Sequence, residues 1–141
     1  MAQTQTVTDT GIAEWVILMS DASSPAATAA NKIVCLNMAT PCTAVVGSTF
    51  ADPADTATHH TDGGLQIAVV ATMGQTQTNT AGDTITFDHV FTASETRNVA
   101  GIHLCNNDGD VTFVECCFNA VIAMESSDTL TIDGAVVINQ A

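Results

Sequence analysis

The sequence predicts an all-β fold, an antiparallel β-sandwich of jelly-roll or immunoglobulin-like type, in one domain spanning residues 1–141. Three observations carry that prediction. Short segments alternate polar with apolar residues. Residues 84–92 place Ile85, Phe87, His89 and Phe91 on one face and Thr84, Thr86 and Asp88 on the other, the two-residue period of a half-buried strand. Asn106-Asn107-Asp108-Gly109 and Ser126-Ser127-Asp128 separate such segments, supplying the backbone conformations that tight turns need. Apolar residues make up 46% of the chain but aromatics only 4%, with no Tyr. The core is therefore built from Val, Ile, Ala, Leu, Met and five Phe, residues that suit a pleated surface.

Taken in order, residues 4–10 alternate Thr with Gln, Val and Asp. They read as an edge strand or as an extended arm, residues 1–10, that wraps a neighbour through Thr4, Thr6, Val7 and Thr8. Residues 11–19 fit a short N-terminal helix or a buried strand, because so short an apolar run has no decisive period. Residues 20–31 read as loop. Residues 33–38 form a strand closed by Thr40-Pro41, with Val45 and Val46 continuing it beyond the proline. A long polar connection follows over residues 50–64, the kind of segment in which binding concentrates. Residues 66–73 are a strand and 81–83 a turn. Strands at 84–92, 99–104, 111–118 and 130–138 complete a meander, with Gly134 marking a bulge or a close backbone approach.

The charge balance narrows function. Fifteen acidic residues face one Lys (Lys32) and one Arg (Arg97), a formal net charge of −13. Such a surface repels nucleic acid, whose binding depends on Lys and Arg to displace counterions, and it disfavours anionic membranes. No apolar run approaches the ~18 residues of a membrane span. The start lacks a basic n-region, so the expectation is a chain that folds where it is made, or that leaves the cell by a route other than general secretion, such as lysis. Arg97 is expected to pair with a carboxylate within the subunit or across a contact.

Chemistry-bearing residues are few. The five cysteines, Cys35, Cys42, Cys105, Cys116 and Cys117, are all disulfide candidates, and their odd number leaves at least one unpaired within the chain. Cys116 and Cys117 are adjacent on a strand and point to opposite faces. His59, His60 and Asp62, with Asp55 nearby, are the nearest approach to a metal cluster, but adjacent histidines on extended chain diverge. Asn106, Asp108 and Asp110 alternate like calcium ligands, yet the Gly falls too early and no Glu closes the loop, so a hairpin turn is the reading. His89 reads as a neutral core or interface histidine bonded to the backbone. No nucleophile with an adjacent base, no phosphate-cradling glycine loop and no catalytic carboxylate pair can be picked out. The expectation is a protein that is not an enzyme and takes no cofactor.

Residues 82–87 (Gly-Asp-Thr-Ile-Thr-Phe), Phe91-Thr92-Ala93, residues 99–106 (Val-Ala-Gly-Ile-His-Leu-Cys-Asn) and residues 128–132 (Asp-Thr-Leu-Thr-Ile) resemble small β-sandwich structural domains of tailed phages and viruses, found in tail-fibre-like and head-decoration proteins. Glu125-Ser126-Ser127 departs from the family's usual Asn-x-Gly turn. The resemblance implies a non-catalytic, oligomeric virion component. The expected function is an exterior capsid decoration protein, a trimer that contacts copies of itself and a major capsid protein. Its rivals are a tail, neck or collar fibre subunit, a carbohydrate-binding module and an extracellular filament subunit. With no Tyr and only Trp15, stacking on sugars has little to work with.

Overall fold

The computed structural model describes residues 4–8, 30–70, 72–76, 84–106 and 111–137. Two antiparallel sheets pack face to face. The larger is built from β1 (Thr4–Val7), β2 (Ala30–Asn37), β3 (Thr58–His59), β4 (Ala68–Val69), β7 (Arg97–Asn106) and β8 (Thr112–Met124). Its order is β1-β8-β7-β2-β3, with β4 also pairing with β2. The smaller runs β5-β6-β9, from β5 (Thr72–Thr76), β6 (Thr84–Thr92) and β9 (Thr129–Val137). This is the all-β sandwich that the alternating pattern predicts.

Ile33, Cys35, Ile102, Leu104, Val114 and Cys116 of the larger sheet meet Phe87, Phe91, Ile132 and Val136 of the smaller. These apolar side chains are removed from water on both inner faces, each contributing roughly 1.5–3 kcal/mol when fully buried. Gly134 lies opposite Phe87 across β6 and β9, and a Cβ there would run into the Phe87 ring. A close approach does explain this glycine, though what approaches is a side chain and not a backbone.

The long strand read at residues 66–73 is instead broken into β4 and β5, because the chain leaves the larger sheet after Val69 and enters the smaller at Thr72. A period-two pattern continues through such a crossing, since both sheets face one core. Val45 and Val46 do not extend β2. They open an exposed turn in which the Ser48 N–H donates to the Val45 carbonyl at 3.1 Å. Residues 4–7 form the outer strand beside β8 of their own chain, with Thr4 opposite Cys117, Thr6 opposite Glu115 and Val7 opposite Val114. Thr8 is fully buried, its N–H and hydroxyl donating to the Phe113 and Thr112 carbonyls. An arm that peels away from β8 would forfeit these bonds. The helix-or-strand segment 11–19, most of loop 20–31, the turn at 81–83 and the hairpin tip 107–110 lie outside the described residues.

Candidate functional site

The outer face of the larger sheet carries the chemistry. Side chains on β8 alternate, so Cys116 enters the inter-sheet core while Glu115 and Cys117 point the other way. Over that outer face lies a twenty-residue connection, 38–57, whose only regular element is the short 3-10 turn Ala54–Thr56. Leu36, Cys42, Ala57, Ala100 and Cys117 form a second small core beneath it, with Met38, Ala44 and Val121 packed against them.

Two devices fasten the loop. The first is a disulfide between Cys42 and Cys117. The second is Glu115, fully buried, whose carboxylate accepts four hydrogen bonds. Oε1 takes them from His103 Nε2 at 2.8 Å and the Ala54 N–H at 3.0 Å. Oε2 takes them from the Ser48 hydroxyl at 2.7 Å and the Val45 N–H at 3.1 Å. Burial pushes the carboxyl up, but these four bonds outweigh it and hold Glu115 below its ordinary 4.5.

Behind Glu115 the network continues. With His103 Nε2–H committed to Glu115, His103 Nδ1 faces His59 Nε2 at 2.9 Å and the Thr112 hydroxyl at 3.2 Å. His59 is half-buried under Phe50, their rings stacked 4.1 Å apart. Burial, and then the His103 ring, drive His59 down from 6.5 to about 4, against the pull of Glu115 and with a smaller push from His60. Burial also lowers His60, against its hydrogen bond to the Asn98 carbonyl.

These shifts share one sign. Between its unfolded value of 6.5 and its folded value of about 4, His59 is protonated in the unfolded chain and not in the folded one. Stability is therefore lost as pH falls through that window, by about 1–2 kcal/mol once solvent screening at this half-buried ring is allowed for. The lowered His60 adds in the same direction. Glu115, held below its ordinary 4.5, contributes stability that is present above that pH and lost below it. Urea midpoints measured from about pH 7 to about pH 4.5 should fall steadily; a flat profile would contradict this linkage.

The sequence-predicted residues are dispersed. His59 turns to His103, His60 to the Asn98 carbonyl and Asp62 to Arg97. No metal-holding group of three occurs among the described residues. Arg97 bonds Asp62 and Glu95, both at 2.6 Å and both in its own chain; its side chain is 30% exposed and both carboxylates are more than half exposed. Such screened surface pairs are worth little, so Arg97→Ala should cost about 0.5–1 kcal/mol, far less than a subunit-locking residue would. A urea midpoint that dropped by several times that would place Arg97 in a contact.

Of the cysteines, Cys42 and Cys117 are bridged within the chain, while Cys35, Cys105 and Cys116 are buried outside that bridge. Burial pushes the Cys35 thiol up to about 12, which leaves no thiolate to react. His89 packs edge-on to Phe91 with ring centroids 4.5 Å apart, and its buried Nδ1 lacks the expected backbone partner. His103 and Glu115 were not legible as a site. Each is a lone polar residue in an apolar strand run, and that isolation was the available signal.

In comparisons with known proteins, the chain matches no family model, no curated protein and no solved structure.

Proposed function

We propose that the protein is a non-catalytic structural subunit of a tailed-virus particle, an exterior capsid decoration protein that works as a homo-oligomer. The observation that carries this reading is the direction in which the buried chemistry points. Glu115, its four donors and the Cys42–Cys117 bridge are all spent on fixing one surface loop. The turn that this fixing presents is apolar: Val45 and Val46 are 46% and 49% exposed. A rigid, protruding apolar contact loses little entropy on docking. The resemblance of residues 82–132 to phage structural domains supplies the particle.

The acidity fits contact by burial of apolar surface. Copies carrying a formal charge of −13 repel one another, so association must come from non-polar area and should strengthen as salt screens the repulsion. Symmetric repetition on a shell then multiplies a modest contact.

Quantitative mass spectrometry of particles purified from the producing culture tests the reading. Recovery in fixed proportion to the major capsid protein is the expected result. A handful of copies per particle would move the subunit to a tail, neck or collar fibre, and absence from particles would overturn a virion role. Size-exclusion chromatography with light scattering, with and without salt, should show a trimer that Val46→Asp dissociates.

A further inference from the structure

The two fastenings of loop 38–57 differ in kind. The disulfide is indifferent to protons, whereas the Glu115 network is built from them. His59 Nε2 and His103 Nδ1 are 2.9 Å apart, a gap that holds one proton and not two. Each protonated ring nitrogen needs an acceptor, and a doubly charged pair would aim N–H at N–H. Protonating Glu115 would likewise remove acceptor capacity from beneath four donors, three of which bond to it in buried surroundings. The loop also holds strain against release. Asp55 and Thr56, which follow the Ala54 N–H donor directly, have φ of 54° and 64°, a left-handed conformation that a β-branched residue such as Thr rarely adopts.

We propose that the His59–His103–Glu115 chain is an acid-operated latch: protonating it releases residues 43–57 from the outer face, while Cys42–Cys117 keeps the loop attached and able to re-dock. This concerns the loop alone and holds whatever the loop contacts.

Few charged or titratable groups surround the latch. β8 contributes Glu115, β7 contributes His103, and β3 contributes His59 with His60 beside it. Residues 4–8 of β1 and its end carry no ionisable side chain. β2 offers Lys32, which pairs opposite Cys105 and not opposite His103. In the loop, Asp52 is exposed and Asp55 accepts the Thr43 N–H at 2.6 Å. Asp62, Arg97 and Glu95 form their own surface group. Apart from the latch, nothing in this set couples the loop to the sheet through a titratable group.

Hydrogen exchange of the oxidised protein, corrected for the intrinsic pH dependence of exchange, tests the latch. Between about pH 7 and about pH 4.5, protection of peptides from residues 43–57 should fall about tenfold or more while peptides from β6 and β9 stay protected. Return to neutral pH should restore it. His59→Gln should keep the loop protected at acid pH, because an amide donates to His103 Nδ1 or, flipped, accepts from it, and never charges. Loop and core amides losing protection together would overturn the proposal. So would an acid response in His59→Gln equal to that of the native chain. The wild-type comparison of loop with core decides the question even if the variant is poorly folded.

Discussion

Glu115→Ala is expected to destabilise the domain by about 3–5 kcal/mol, the cost of breaking a buried charge-assisted network by removing one partner. The substitution strands four donors at once: His103 Nε2, the Ser48 hydroxyl and the backbone N–H groups of Val45 and Ala54. Three of the four belong to loop 38–57, so the loss falls on the attachment of the loop more than on the sandwich core. Glu115→Gln sharpens the test. It preserves shape and one acceptor oxygen, but its NH2 would face the Ser48 hydroxyl and the Val45 N–H. A penalty of about 1–3 kcal/mol is expected, because the Ser48 hydroxyl can turn to accept from the NH2 whereas the Val45 N–H is left facing another donor. Urea denaturation at neutral pH measures both. Since a domain of this size has a total stability of about 5–15 kcal/mol, the Ala variant should approach the limit of folding. A loss below about 1 kcal/mol would mean that water reaches the carboxylate and that the network is not sealed.

The fold was legible in the sequence where period and turn chemistry agree, and illegible where the chain changes sheet. On β6 the alternation located Phe87 and Phe91 in the core, but Thr84, read on the polar face, is buried, and Ile85 and His89 are only partly buried. The same rule merged β4 and β5, since alternation carries no mark of the sheet to which a residue belongs. The site was hidden by a smaller irregularity. Continuing the Cys105–Thr112 pairing along the strands would put His103 opposite Val114, whereas a register shift between the Leu104 and Cys105 pairs brings His103 opposite Glu115 instead. A one-residue bulge of this kind moves a side chain to the other face, and nothing in Val111-Thr112-Phe113-Val114 announces it. The opposed faces of Cys116 and Cys117 were readable from strand geometry. That Cys42, far off in a loop, would be the partner of Cys117 was not, because contact between distant segments is set by how the loop folds over the sheet.

Reducing the Cys42–Cys117 bridge should lower stability by about 4 kcal/mol on the chain-entropy account, since the bridge closes a long loop. The sequence separation is 75 residues, running from the loop through β3–β7 into β8. Cys42→Ala should reproduce the loss and abolish any further effect of reductant. Alkylation gives an independent readout. The native oxidised protein should take no label, because Cys35, Cys105 and Cys116 are buried; after reduction, label should enter at Cys42 and Cys117. A reductant-insensitive urea midpoint would show that the Glu115 network alone holds the loop. The informative variant is therefore the double one. The bridge and the carboxylate fasten the same segment from positions two residues apart on β8, so their losses should not add. Once one fastening is gone the loop is partly free, and removing the other forfeits less. A double-mutant cycle of Glu115→Gln with Cys42→Ala should show coupling of about 1 kcal/mol or more, as expected for neighbours sharing one structural element. Strict additivity would mean that the two act on separate parts of the structure, with the disulfide stabilising the sandwich directly and the loop secured by Glu115 alone.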